Sequence, residues 1–147
     1  MLGPGRLSRV EMLKWLGGIA PGALKTTPFA AFSTAVINDD ATGLAEPTAG
    51  TGGYAAEAIT WTTPPTPTAG QPAVLANSNV INWGPSSAAW STGSTPLPYI
   101  GVFNHVTTRS EAVFIGAMGV AVPRVVDAAG IELESIAGDL QFTMSPT

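Results

Sequence analysis

Leu97-Pro-Tyr-Ile-Gly-Val-Phe-Asn104, a short polar turn, and then Glu111-Ala-Val-Phe-Ile-Gly-Ala-Met118 is the stretch that decides the fold. Two runs rich in β-branched and aromatic residues flank a polar turn, the pattern of a β-hairpin with a loop longer than the tightest turns. Both runs are apolar at successive positions, and a strand apolar on both sides is normally covered on both faces. The reading places this hairpin at the centre of a β-sandwich, with Ile100, Val102, Phe114 and Ile115 in its core.

On the C-terminal side, Val120–Val126 and Ile131–Ile136 read as strands separated by Asp127-Ala-Ala-Gly130, and Leu140–Met144 closes the chain with Phe142 on its apolar face. On the N-terminal side, Gly84–Ser94 reads as a polar turn around Trp90, preceded by a strand Val80–Trp83 that aligns Ile81 with Trp83. Thr63–Pro72 holds four prolines in ten residues. That density forbids a central strand and predicts an extended, exposed loop. Tyr54–Thr62 alternates so that Ile59 and Trp61 share a face with Glu57; a carboxylate is costly to bury unpaired, so that end should be open or partnered. Residues 38–53 are turn-rich, and Pro28–Val36 is the first strand. The sum is an all-β, single-domain sandwich of about seven or eight short antiparallel strands. The candidate core is Ile59, Trp61, Ile81, Trp83, Ile100, Val102, Phe114, Ile115 and Phe142.

Composition agrees. Only 11% of residues are charged, with 17 glycines and 13 prolines in 147 residues. This suits a body of short strands whose weakly charged surface is covered by a partner. The absence of cysteine excludes thiol catalysis, disulfides and cysteine metal sites. Charge is unevenly spread. Residues 1–25 carry Arg6, Arg9, Lys14 and Lys25 against Glu11, a balance of +3, whereas 26–147 set Arg109 and Arg124 against nine acids, a balance of −7. The acidic body is a poor match for nucleic acid. The basic segment suits an acidic partner surface, with Arg6, Arg9 and Lys14 as candidate docking residues.

Residues 1–25 read as an arm with a short amphipathic helix, and 26–147 as the body. Ser8 and Glu11 form a capping box, Leu7 and Met12 a hydrophobic staple, and Gly17-Gly18 a stop, which predicts a helix over 9–16. Val10 and Leu13, with Trp15 and Leu16, supply its apolar side. Two turns are marginal alone, so the helix must pack on its own sheet or on a neighbouring subunit. Ser8–Lys14 is similar to a twin-arginine export motif, but Val10 stands where the second arginine belongs, and no export signal is expected. No apolar run reaches the roughly 18–20 residues of a membrane span.

Chemistry is sparse. His105 is the single histidine and sits in a turn, where a surface or interface role is expected. Asp39-Asp40 lacks the spaced ligand series of a calcium loop and reads as turn-forming. Glu132 and Glu134 lie on one side of a strand without a catalytic companion. Trp61, Trp83 and Trp90 fit core packing better than a sugar-stacking platform. No metal or cofactor is expected.

Several motifs, in order, carry a resemblance. Gly52-Gly53-Tyr54-Ala55 leading to Ile59-Thr60-Trp61 resembles the "GGYAR…VTW" strand of small phage virion proteins described as tail-fibre or minor tail proteins. Ile81-Asn82-Trp83 followed by Trp90, Tyr99-Ile100-Gly101-Val102-Phe103-Asn104, Phe114-Ile115-Gly116-Ala117-Met118 and Ala137-Gly138-Asp139-Leu140 are similar to later elements of that family. Ala56 departs from the usual arginine, and the Pro-rich loop is longer. The resemblance implies a non-enzymatic virion structural protein that self-associates, as a trimer, and docks on other virion proteins at the particle surface, without nucleic acid or membrane. It points to a tail or fibre component; the short length also suits a capsid decoration or cement protein. A receptor- or glycan-binding module of the virion is the alternative.

Overall fold

The computed structural model describes residues 27–62 and 73–144, together with Arg9, Leu13 and 16–18. The described chain is all-β, with eight antiparallel strands. They are β1 (Phe29–Ser33), β2 (Glu57–Ala58), β3 (Ala73–Ala76), β4 (Ile81–Trp83), β5 (Leu97–Phe103), β6 (Phe114–Arg124), β7 (Leu133–Ser135) and β8 (Gln141–Met144). A four-stranded sheet has the order β2-β1-β5-β6, and two ribbons, β3-β8 and β4-β7, complete the architecture. A single bridge between Trp61 and Asn77 links the second strand region to the β3-β8 ribbon.

Strand β5 is the axis. It pairs with β1 from Phe29↔Phe103 to Ser33↔Tyr99, and with β6 on its other side. Its side chains alternate between two cores. On one face Ile100 and Val102 join Phe32, Trp83, Met118, Val126, Leu133 and Leu140, so that β4-β7 lies across the sheet. On the other, Phe103 joins Phe114, Ala117, Ile37 and Ala41, packed under the loop that follows β1. Both faces of β5 are therefore covered, as its unbroken apolar run requires. Aromatic contacts knit the first face: Phe32 lies 4.7 Å from Trp83 and 6.1 Å from Trp90, and Tyr54 lies 4.7 Å from Trp90, centroid to centroid.

Several expectations are corrected. Only β5 is central; β6 is the edge strand of its sheet. The expected strands at 111–118 and 120–126 are one strand, β6, entered by a 3-10 turn at Glu111–Val113. Val102 pairs with Gly116 and Phe103 with Phe114, so Ile115 is the extra residue of a β-bulge. The bulge leaves Ile115 half-buried against the first core, not fully inside it. A second slip sets Tyr99 opposite Gly119 but Leu97 opposite Arg124, so residues 120–123 bulge out of the ladder before β6 rejoins β5 at Arg124. Pro123 sits in that bulge, where an edge strand tolerates a missing N–H.

The expected strand Tyr54–Thr62 contracts to Glu57–Ala58 plus the Trp61 bridge. Ile59 keeps its inward face and is fully buried, whereas Trp61 and Phe142 are half-buried, edge-to-face at 5.6 Å at the rim of the core. The first strand stops at Ser33, whose buried Oγ accepts from the Ala35 and Ala45 amides and turns the chain. Gly52 adopts φ 60° with its Cα against the Ala88 carbonyl, where a Cβ would stand 2.5 Å from that oxygen. Trp90, which lies in a polar turn but reads as core, is buried in the aromatic cluster.

At the N-terminus, Arg9, Leu13 and Leu16 have helical backbone, Gly17 N–H donates to the Leu13 carbonyl at 2.9 Å, and Gly18 takes φ 70°. The rest of the expected 9–16 helix, with Arg6 and Lys14, and the Pro-rich loop 63–72 lie outside the described residues.

Phe114 fills the second core from the start of the bulge, so Phe114→Ala is expected to destabilise the protein by about 3–5 kcal/mol in chemical denaturation. A loss below about 1 kcal/mol would show that the second face is not tightly packed.

Candidate functional site

Two places concentrate polar or accessible chemistry. The first is an ion pair at the β5–β6 turn. Arg109 donates from Nε to Glu46 Oε2 at 2.6 Å and from a terminal nitrogen to Glu46 Oε1 at 2.9 Å. The same guanidinium donates to the carbonyls of His105, Val106 and Thr108, and stacks over the Phe103 ring at 4.8 Å. Arginine's planar fork is suited to this; a lysine could satisfy one direction only. Tyr54 Oη donates to Glu46 Oε1 at 2.9 Å and accepts from the Phe32 amide at 3.1 Å. Burial, reinforced by the Glu46 carboxylate, pushes the Tyr54 phenol far above its ordinary range, so it stays a neutral donor. His105 Nδ1 accepts from the amides of Thr107 and Thr108, at 3.2 and 2.9 Å, which commits that nitrogen to closing its own turn. Every group here is engaged in holding the turn against the 44–46 loop. The arrangement is a clamp.

Asp39 and Asp40 do not converge on a cation position. Asp40 Oδ1 accepts from Thr42 at its amide and hydroxyl, and Asp39 pairs with Arg9 at 2.6 Å. Among the described residues, no group of three His, Asp or Glu side chains is placed to hold a metal. Trp83 and Trp90 lie in the core and Trp61 at its rim, so they do not form an open platform.

The second place is a groove of about 850 Å³ between the outer half of β6 and β7. Neither strand pairs with the other: β6 ends its sheet, and β7 pairs only with β4. Buried Phe32, Trp83, Ile100 and Leu133 line it, along with Val120 and Val122; Val122 is 62% exposed. Glu132, Glu134 and Asp139 ring it against a single cation, Arg124. Glu132 accepts a short hydrogen bond from Asn82 Nδ2 across the β4-β7 ribbon. Two buried polar groups of the lining, the Trp83 indole N–H and the Ser135 hydroxyl, lack a hydrogen-bond partner among the described residues. The sequence pointed to Glu132 and Glu134 as a shared face but carried no sign of the groove, beside which residues 120–123 bulge from the β5–β6 ladder.

The clamp and the half-buried Glu57 each generate a test. Arg109→Met should cost about 2–3 kcal/mol, because it strips a partly buried carboxylate of its partner, and Arg109→Lys should recover little of it. Burial raises the Glu57 carboxyl above the ordinary glutamate range. A raised folded pKa favours the neutral form, so its contribution is present below the ordinary value near about 4.3 and is lost as pH climbs through the raised one. Glu57→Gln should therefore match the parent in acid and exceed it in stability at neutral pH; equal pH profiles for the two proteins would remove burial as the cause.

No protein-family model and no curated protein matches the chain.

Proposed function

We propose that this chain is a non-enzymatic structural protein of a phage virion. It self-associates and docks on other virion proteins, as a tail or fibre component or a capsid decoration. The observation that carries this reading is the eleven-residue edge strand β6, whose outer half presents Val120 and Val122 beside an apolar groove. An exposed apolar edge is a template for pairing with another chain, and monomeric proteins blunt such edges with lysines, inward charges, prolines or bulges, of which β6 carries Pro123 and its bulges. Here no lysine follows Lys25. The ordered motifs that resemble small tail and fibre proteins supply the virion context.

The polar clusters support a structural role. The Arg109–Glu46–Tyr54 network and the His105 turn are satisfied internally, which suits anchoring a loop and leaves no poised acid–base pair there.

Sedimentation velocity of the purified chain at micromolar concentration should show an oligomer, a trimer on this reading, and mass spectrometry of purified particles should find the chain in fixed stoichiometry. A monomer that is absent from particles would overturn the proposal.

A further inference from the structure

We propose that the β6–β7 groove is the acceptor for the basic, apolar N-terminal segment, residues 1–25, of a second copy of this chain. The inference rests on the self-association proposed above and names the surfaces that meet.

Charge selects the occupant. Three carboxylates and one guanidinium border the groove. Two such grooves facing one another would repel, which disfavours a symmetric groove-to-groove contact. The chain has six basic residues. Arg109 is spent on Glu46, and Arg124 belongs to the groove itself. The remaining four, Arg6, Arg9, Lys14 and Lys25, all fall in residues 1–25.

Apolar surface selects the same occupant. Leu13 and Leu16 have helical backbone, and a spacing of three sets them on one side of the helix. They are 68% and 67% exposed, so their own body leaves them uncovered. A short amphipathic segment laid into an apolar groove is a recurring mode of recognition.

Geometry makes the contact intermolecular. Arg9 pairs with Asp39 of its own chain. Asp39 lies in the loop whose Ile37 and Ala41 cover the second face of the sheet, whereas the groove is lined by Phe32, Ile100 and Met118 of the first face. Arg9 thus sits across the sheet from the groove of its own chain. The Arg9–Asp39 pair is half-exposed at both ends, and such pairs contribute little, so it biases where Arg9 rests without barring its transfer to a neighbouring copy. Donor and acceptor surfaces differ, which makes the contact heterologous: it closes into a ring or propagates as a filament.

The chain has no cysteine, which permits a direct test on the full-length protein. Leu13→Cys in an isotope-labelled copy is mixed with Val122→Cys in an unlabelled copy, treated with a short bis-maleimide and read by mass spectrometry. A 13-to-122 link between labelled and unlabelled chains is expected. It should fall at least tenfold when the acceptor copy also carries Glu134→Lys with Glu132→Gln, which keeps an acceptor for Asn82. It should return when the donor carries Arg9→Glu with Lys14→Glu. An oligomer without this link, a link indifferent to the charge changes, or a 13-to-122 link confined within single chains would each overturn the groove assignment and leave self-association standing. A monomer at micromolar concentration would overturn both.

Discussion

Covering both faces of β5 is the constraint on which the rest of the structure depends. A strand buried on one side needs one core; β5 needs two, and they draw on different parts of the chain. The first is supplied by sheet packing, through Trp83 and Leu133 of the β4-β7 ribbon. The second has no sheet to meet it and is closed by the loop after β1, through Ile37 and Ala41. Room for that loop is made at Gly101, where a Cβ would stand 2.7 Å from the Phe103 ring and 2.9 Å from the Ile37 side chain. A loop acting as a core layer must be pinned, because its backbone groups need partners. Ser33 Oγ does so from β1, and Arg109 does so from the hairpin turn by gripping Glu46. This partly buried ion pair is thus the fastening of the second core to the hairpin that needs it.

A comparable role at the other end falls to Asn77, which is 1% exposed. Its Nδ2 donates to the carbonyls of Asn79 and Ile136, and its Oδ1 accepts from the amides of Gly138 and Leu140. All four hydrogen-bonding positions of the amide are used. They tie the β3 end to the turn before β8, two segments about sixty residues apart in sequence. A fully satisfied buried amide specifies one arrangement of that turn, since any slip would strand several polar groups in a dry site.

The parts of this fold that were legible share one property: their signal is local. The apolar runs of β5 and β6, the Ile81/Trp83 alternation, the strands near 131–136 and 140–144, and the Gly17-Gly18 stop could be read from neighbours in sequence. The parts that were not legible depend on distant partners. Asn77-Ser78-Asn79 has the composition of an ordinary turn, and Ala73–Ala76 directly follows a proline-rich stretch, yet Phe142 and its neighbours across the ribbon make it a strand. Trp90 could be read as core from its type, but its partners Tyr54 and Phe32 could not be named from the serines, threonines and glycines around it. The clamp was invisible because Glu46 and Arg109 are 63 residues apart. For the groove, Glu132 and Glu134 were legible as one acidic side; the seam beside them follows from a register slip in β6, which no composition signals.

That slip has a physical consequence for how the protein meets others. After Gly119, residues 120–123 bulge out of the ladder and β6 rejoins β5 only at Arg124, and the first core is left bordered by a groove between β6 and β7. The seam exposes Val122, apolar surface of the kind a partner covers. The acidic border discourages an identical seam from doing so and also discourages the acidic body in general. On the proposed reading, the segment that suits the seam is residues 1–25, which holds four of the six lysines and arginines, and its acceptor lies on another copy, so that each subunit both gives and receives and the assembly has a direction.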